Sequence, residues 1–204
     1  MKDSILNKID ELKKQIIDDI IELVKINSVE DEPQEGMPFG KEINNCLLKA
    51  LKISAKLGFK TKNLDGYVGY AQLGEGDDYI GVIGHLDVVP VGDGWVKPPF
   101  SGYIRDERIY SRGILDNKGP IMSCLYALYV CKECGVVFNK PIRIIFGTNE
   151  ESGMKDIEYY LTQEKPPIMG WTPDCKYPVV YGERGRAKFK IVADPIYLNE
   201  FFVF

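Results

Sequence analysis

The chain lacks the basic excess of nucleic-acid-binding proteins and the long apolar runs of secreted and membrane-spanning ones. Its 204 residues hold 26 Lys and Arg against 30 Asp and Glu, a net charge of -4. This balance argues against a nucleic-acid or anionic-membrane surface, which needs a basic excess, and suits a cationic ligand such as a metal better. Charges interrupt Met1–Ile26, and no apolar run approaches the roughly 18 residues of a membrane span. We therefore expect neither a secretory signal nor a membrane-spanning segment.

Cysteine is scarce and histidine scarcer. The five cysteines are odd in number and scattered, which is typical of reduced thiols and predicts a cytoplasmic protein rather than a disulfide framework. Cys131 and Cys134 have the spacing of a zinc or redox pair, but no second ligand pair accompanies them, so two unused thiols are the better interpretation. The only histidine is His85.

The N-terminal part of the chain has helical periodicity. Apolar residues recur at steps of three and four from Ile5 to Leu23, which predicts an amphipathic helix. A second such pattern runs from Ile43 to Leu51 and ends before Gly58. Two more helices are predicted, at about Gly119–Cys134 and at Met154–Gln163.

Short apolar runs typical of strands lie between the predicted helices. They occupy Tyr67–Leu73, Tyr79–Ile83, Ile142–Phe146 and Val179–Tyr181. Helices that alternate with strands indicate an α/β layer fold with a largely parallel sheet. Ligands on such sheets bind where strands lead into loops.

The first motif, GHLDVVP, runs from Gly84 to Pro90 directly after a predicted strand. In extended chain His85 and Asp87 face the same way. One ring nitrogen of His85 can then bind a metal while Asp87 accepts the other N–H. A buried structural histidine at a strand end remains the alternative.

The second motif, RGILDNKGP, places Asp116 just before a predicted helix. Its carboxylate is a candidate ligand for one or two metals, or simply a helix cap. A further motif, GWTPDC, places Asp174 after a proline. A surface turn explains that residue equally well.

The third motif, TNEESG, follows the strand Ile142–Phe146. Neighbouring residues of extended chain face opposite ways, so Glu150 and Glu151 can have different tasks. One can bind metal while the other acts as a general base on water. Two charges favoured by the dipole of the following helix are the alternative.

Together the motifs indicate more than each does alone. One histidine and several carboxylates at strand ends of an α/β domain form a nitrogen and oxygen ligand set suited to zinc, manganese or cobalt. With His85 assigned to that set, no imidazole is left to activate a serine or cysteine nucleophile.

The runs GHLDVVP, SRGILDNKGP, TNEESG and GWTPDCKYPVVYGERG resemble, in order and spacing, the aminoacylase and glutamate-carboxypeptidase metallopeptidases. Within that family they look most like the bacterial carnosinase-like (Xaa-His) dipeptidases. The resemblance implies a three-layer catalytic domain and hydrolysis of a dipeptide or short peptide. It also implies a pair of metal ions, usually zinc.

The resemblance also implies roles for individual residues. His85 and Asp174 would bind one metal and Glu151 the second, with Asp116 bridging both. Asp87 would orient His85, and Glu150 would take a proton from water and pass it to the leaving amine. A cis peptide is expected between Asp116 and Asn117.

The chain departs from the family at its C-terminal end. It lacks the inserted lid domain and the late histidine that completes the family's second metal site. We therefore expect an incomplete catalytic domain at residues 1–185, and a truncated lid domain or out-of-frame tail at 186–204. The hypotheses are a metallo-dipeptidase, acting alone or with a complementing C-terminal half, a non-catalytic fragment with a partial metal site, and a related N-acyl amino-acid amidohydrolase.

Overall fold

A computed structural model describes residues 1–175, 180–182, 184–185, 187 and 189. The chain divides into two units, Met1–Asp174 and Cys175–Phe204, and the elements below all belong to the first. Most of the second unit lies outside the described residues. The expected domain boundary after residue 185, the tail at 186–204 and part of the strand expected at Val179–Tyr181 fall there, so they stay predictions.

All four predicted helices are present, with ends shifted by a few residues. They are α1 (Lys2–Val24), α2 (Lys41–Lys56), α3 (Lys118–Glu133) and α4 (Lys155–Gln163). Each amphipathic pattern buries its apolar face: Leu23 and Val24 of α1, and Leu47 and Ala50 of α2, are completely inaccessible to solvent. Burial of these faces, rather than helix propensity, stabilises such helices.

A five-stranded sheet forms the centre of the fold. Its strands are β1 (Lys60–Leu64), β2 (Val68–Leu73), β3 (Ile80–His85), β6 (Ile142–Gly147) and β7 (Met169–Trp171), in the order β1-β2-β6-β3-β7. β3 pairs in parallel with β6 and β7, whereas β2 is antiparallel to β1 and β6. Four of the five strands therefore point the same way, which confirms a mixed, largely parallel sheet.

Both faces of the sheet are covered, so the unit has three layers. Ile144 and Phe146 of β6 pack into a core with α1, α2 and α3, while the intervening Ile145 packs with Tyr160 of α4. Side chains alternate between the faces of a strand, so the consecutive apolar residues from Ile144 to Phe146 indicate burial on both faces. The three-layer α/β class predicted from the sequence is confirmed.

Two edge strands and a hairpin were not anticipated. β1 and β7 are edge strands made largely of exposed residues, and β4 (Tyr103–Arg105) pairs with β5 (Arg108–Tyr110) in a separate two-stranded sheet. Such strands bury too little apolar surface to give a period-two signal. None of the helices in the described part of the chain is both long and apolar enough to cross a membrane.

Candidate metal centre

The sheet brings the four motifs together at the carboxyl end of its parallel strands. β3 ends at His85, which lies opposite Gly147, the last residue of the parallel neighbour β6. The segments that follow both strands, and that hold the first and third motifs, therefore start side by side. β7 flanks β3 on its other side and leads towards Asp174. The second motif precedes α3, which packs across β3 and β6.

His85 is the centre of this edge. Its side chain is almost completely buried, and its two ring nitrogens have different surroundings. Nδ1 lies 3.0 Å from the carbonyl oxygen of Asp87 and 3.5 Å from Oδ1 of the same residue. A proton on Nδ1 is therefore satisfied by Asp87, which leaves the lone pair of the neutral ring on Nε2.

Nε2 faces three carboxylates from three different motifs. It lies 3.0 Å from Oδ1 of Asp116, 3.5 Å from Oδ2 of Asp174 and 3.8 Å from Oε2 of Glu150. Ligand atoms of His85, Asp116 and Asp174 all lie within 4.8 Å of one another. One imidazole and two carboxylates thus converge on a point that a single cation could occupy.

Asp87 links the first motif to the third. Its two carboxylate oxygens accept hydrogen bonds from the backbone N–H groups of Glu150 (3.2 Å) and Glu151 (3.0 Å). Because the backbone carbonyl of Asp87 also lies 3.0 Å from Nδ1 of His85, one buried residue contacts both the ring and the turn that carries the two glutamates. Glu151 enters the site through its backbone and does not belong to the three-residue group of converging ligand atoms.

Three of the alternative explanations, a helix cap at Asp116, charges in the first turn of a helix and an isolated surface turn at Asp174, differ from the observed positions. The residue that caps α3 is Asn117 rather than Asp116. α4 begins at Lys155, four residues beyond Glu151, so the glutamates lie outside its first turn. Asp174 turns towards His85 instead of lying in an isolated surface turn. The peptide between Asp116 and Asn117 is cis, as the resemblance implied.

The concentration of negative charge changes the acidity of the groups. Burial lowers the pKa of His85, but its hydrogen bond to Asp87 and the surrounding carboxylates outweigh this and raise the pKa to about 9. Burial and neighbouring carboxylates also raise the pKa of Glu150 and of Glu151. Mutual repulsion among carboxylates is the condition that a bound cation relieves.

The donor set fits a divalent metal. Imidazole nitrogen and carboxylate oxygen are ligands of zinc, manganese and cobalt, and a carboxylate that accepts the second ring N–H is typical of metal-bound histidines. In the described part of the chain, the candidate metal cluster contains no cysteine. The chemistry of these residues is therefore consistent with the metal site that the sequence predicts.

Two supporting residues were not anticipated. Ser28, in the loop after α1, donates its hydroxyl to the Leu86 carbonyl, and its backbone carbonyl accepts the N–H of Val88, so it fixes the backbone on both sides of Asp87. Asp156 accepts the backbone N–H groups of Thr148 and Asn149 just before the glutamates. Ser28 acts from a loop distant in sequence and Asp156 from the start of the next helix, and the linear sequence holds no periodic signal for either contact.

Comparison with known proteins gives consistent results. Residues 81–196 match the family described as Peptidase family M20/M25/M40. The chain is 47% identical over 175 residues to "Putative dipeptidase YtjP" of Bacillus subtilis (strain 168), which covers 85% of this chain and 38% of that protein. It is 41% identical over 176 residues to Beta-Ala-Xaa dipeptidase of Lactobacillus delbrueckii subsp. lactis, covering 85% and 37% of the two proteins.

The fold is similar to that of human carnosine dipeptidase 1. The TM-score is 0.72 at 22% identity, over 87% of this chain and 42% of that one. The chain spans about two fifths of the length of the curated relatives it matches. The family match covers more than half of the chain and includes all four motifs. The chain belongs to peptidase family M20/M25/M40.

Proposed function

We propose that this chain carries the metal-binding half of a metal-dependent dipeptidase, which hydrolyses a peptide bond with an activated water. The observation that carries the proposal is the convergence of His85, Asp116 and Asp174 within 4.8 Å at the carboxyl edge of the sheet. The names of the two similar dipeptidases support the reaction class and a dipeptide substrate.

The residues at the edge divide into two groups of ligands. His85 and Asp174 would hold one divalent ion and Glu151 a second, with Asp116 between them. When bound, divalent ions of this kind polarise a carbonyl and lower the pKa of water. Zinc is the proposed metal, and manganese and cobalt suit the same ligand set.

Glu150 is the proposed general base. Its carboxylate lies 3.8 Å from Nε2 of His85 and is partly open to solvent, so a water molecule can reach it. Burial and the neighbouring carboxylates raise the pKa of Glu150, which makes its carboxylate a better proton acceptor than an ordinary glutamate. The same group can then return the proton to the leaving amine.

Asp87 has a positioning task in this scheme. Its backbone carbonyl accepts a hydrogen bond from the ring of His85, and its carboxylate accepts the backbone N–H groups of both glutamates. The metal-ligating side and the base side of the site are therefore held by one residue. The predicted cytoplasmic location and a complementing C-terminal half stay predictions.

A hydrolysis assay tests the proposal. Purified chain with added zinc, manganese or cobalt is incubated with a panel of dipeptides and with N-acyl amino acids, and release of free amino acid is measured. The expected result is metal-dependent dipeptide cleavage that Glu150→Gln lowers about 100- to 10,000-fold, the usual contribution of a general base. The matched control, Glu75→Gln, alters an exposed glutamate paired with Lys60 and should leave cleavage unchanged.

Other outcomes have distinct meanings. Cleavage confined to the N-acyl amino acids would replace dipeptidase with the related amidohydrolase activity. Metal binding without any cleavage would favour a chain that holds a partial site and does not catalyse. Cleavage equal in the wild-type chain and Glu150→Gln would overturn the proposed base.

A further inference from the structure

Asn117 connects three of the four motifs through one side chain. It is completely buried, and its Oδ1 accepts the backbone N–H of His85 at 3.3 Å. Its Nδ2 donates to the carbonyl oxygen of Pro173 at 3.2 Å and to Oδ1 of Asp174 at 3.1 Å. The second motif thus contacts the first and the last from a residue that the proposed reaction does not use.

These contacts exploit both ends of a carboxamide. An acceptor faces the strand that carries His85, and a donor faces the loop that carries Asp174, so only a side chain with both functions makes all three bonds. Oδ1 of Asp174 is engaged by Asn117, while Oδ2 of the same carboxylate faces Nε2 of His85. The amide therefore fixes which oxygen of Asp174 points to the candidate metal position.

Gly84 provides the space that this arrangement needs. A methyl group at Gly84 would overlap Oδ1 of Asn117 and lie 2.9 Å from Cβ of Ile121. Because β3 passes so close to Asn117, a residue with a side chain could not stand directly before His85 without moving the amide. The glycine of the first motif and the asparagine of the second are thus structurally dependent on each other.

From these contacts we propose that Asn117 is a positioning residue, which holds His85 and Asp174 in register as ligands of one divalent cation. The inference rests on the proposed function in taking these two residues as metal ligands. Asn117 touches no reacting atom in this scheme and acts through the backbone of His85 and the carboxylate of Asp174. Loss of such indirect partners of metal ligands typically weakens metal binding about 10- to 100-fold.

The test has a spectroscopic arm that needs no metal. Because His85 is the only histidine, labelling with [15N]histidine gives one backbone amide cross-peak. In Asn117→Ala the amide proton of His85 loses its acceptor, so its resonance should move upfield and its exchange with solvent should accelerate. Leu51→Ala, a core substitution in α2 outside the site, is the control for a general loss of stability. It should leave that cross-peak in place.

The second arm measures zinc affinity by competition with a chelating indicator. Asn117→Ala should bind zinc about 10- to 100-fold more weakly than the wild-type chain. Leu51→Ala and Asn63→Ala should bind it as the wild type does. Asn63 accepts a backbone N–H within the turn between β1 and β2, so its truncation removes a comparable hydrogen bond away from the site.

The two arms separate failure of this inference from failure of the proposed function. Equal zinc affinity and an unmoved His85 amide in Asn117→Ala would overturn the positioning role while leaving the metal site intact. If the wild-type chain binds no zinc, the proposed function fails. The positioning of His85 and Asp174 as metal ligands then fails with it, whether or not the His85 amide resonance moves in Asn117→Ala. Should Asn117→Ala not fold, solvent exchange of the His85 amide is measured in the wild-type chain, and exchange as fast as that of an unbonded amide rejects the inference.

Discussion

His85 and Asp87 face each other at the end of β3, with Nδ1 of the ring 3.0 Å from the Asp87 carbonyl oxygen and 3.5 Å from its Oδ1. The same carboxylate accepts two backbone N–H groups from the turn after β6. One residue therefore sets both the orientation of the histidine ring and the position of the glutamates. This double contact gives the first prediction.

Asp87→Asn should weaken zinc binding about 10- to 100-fold, because the amide presents donors where the N–H groups of Glu150 and Glu151 need acceptors. Competition with a chelating indicator measures the affinity. Asp93→Asn, in the exposed loop after the first motif, is the matched control and should bind zinc normally. Normal binding by Asp87→Asn would show that the site does not depend on the carboxylate of Asp87.

Glu164 gives a pH-dependent prediction away from the site. Burial raises the pKa of Glu164, but hydrogen bonds from Lys62 and Arg143 outweigh this and hold the pKa below its usual value. An acid whose folded pKa is lowered binds fewer protons in the folded chain than in the unfolded one. Its contribution to stability is therefore present at neutral pH and is lost as the pH falls through the folded pKa.

Glu164→Gln should lower the free energy of unfolding at pH 7 by about 1–3 kcal/mol, since the buried Arg143 loses its charged partner. The difference from the wild type should shrink below pH 4. Denaturant unfolding at several pH values measures both. Glu75→Gln breaks an exposed pair with Lys60 and should cost less than about 1 kcal/mol. A difference that does not depend on pH would contradict the assigned ion pair.

Gly119 allows α3 to begin close to the second motif. A methyl group there would overlap the carbonyl oxygen of Ile114 and lie 3.4 Å from its Cδ1. Gly119→Ala should therefore destabilise the chain by about 1–3 kcal/mol, although alanine is the better helix former. Denaturant unfolding measures this, with Ser123→Ala in the same helix expected to change stability by less than about 0.5 kcal/mol. A gain of stability in Gly119→Ala would mean that the segment before α3 adjusts freely.

The sequence predicted the parts of the fold that bury a strong apolar pattern. The three- and four-residue steps of α1 and α2, and the apolar residues Ile144–Phe146 of β6, each predicted a surface that is buried in the structure. β1 and β7 were not predicted, because edge strands such as Lys60–Leu64 expose most of their side chains. Arg143 is hidden within the β6 run, where its guanidinium lies 3.9 Å from the ring of Tyr70 and 4.0 Å from that of Tyr79. No local sequence pattern predicts that this arginine is buried.

The candidate site was predictable for a topological reason. Residues at the carboxyl ends of neighbouring parallel strands meet at one edge, so the sequence places His85 near the glutamates after β6. The roles of Ser28 and Asn117 depend on distances between segments that are far apart in the chain, and no spacing rule supplies those distances. These contacts are visible only in the folded structure, and the roles proposed from them are tested by the experiments above.

The most direct measurement is the 15N spectrum of the single imidazole, recorded with and without zinc. Because His85 is the only histidine, every ring signal belongs to it. Zinc should shift the Nε2 resonance to the range of a metal-coordinated nitrogen, while Nδ1 keeps its proton and its hydrogen bond to Asp87. Nδ1 shifting in place of Nε2, or neither nitrogen responding to saturating zinc, would contradict a metal centre built on His85.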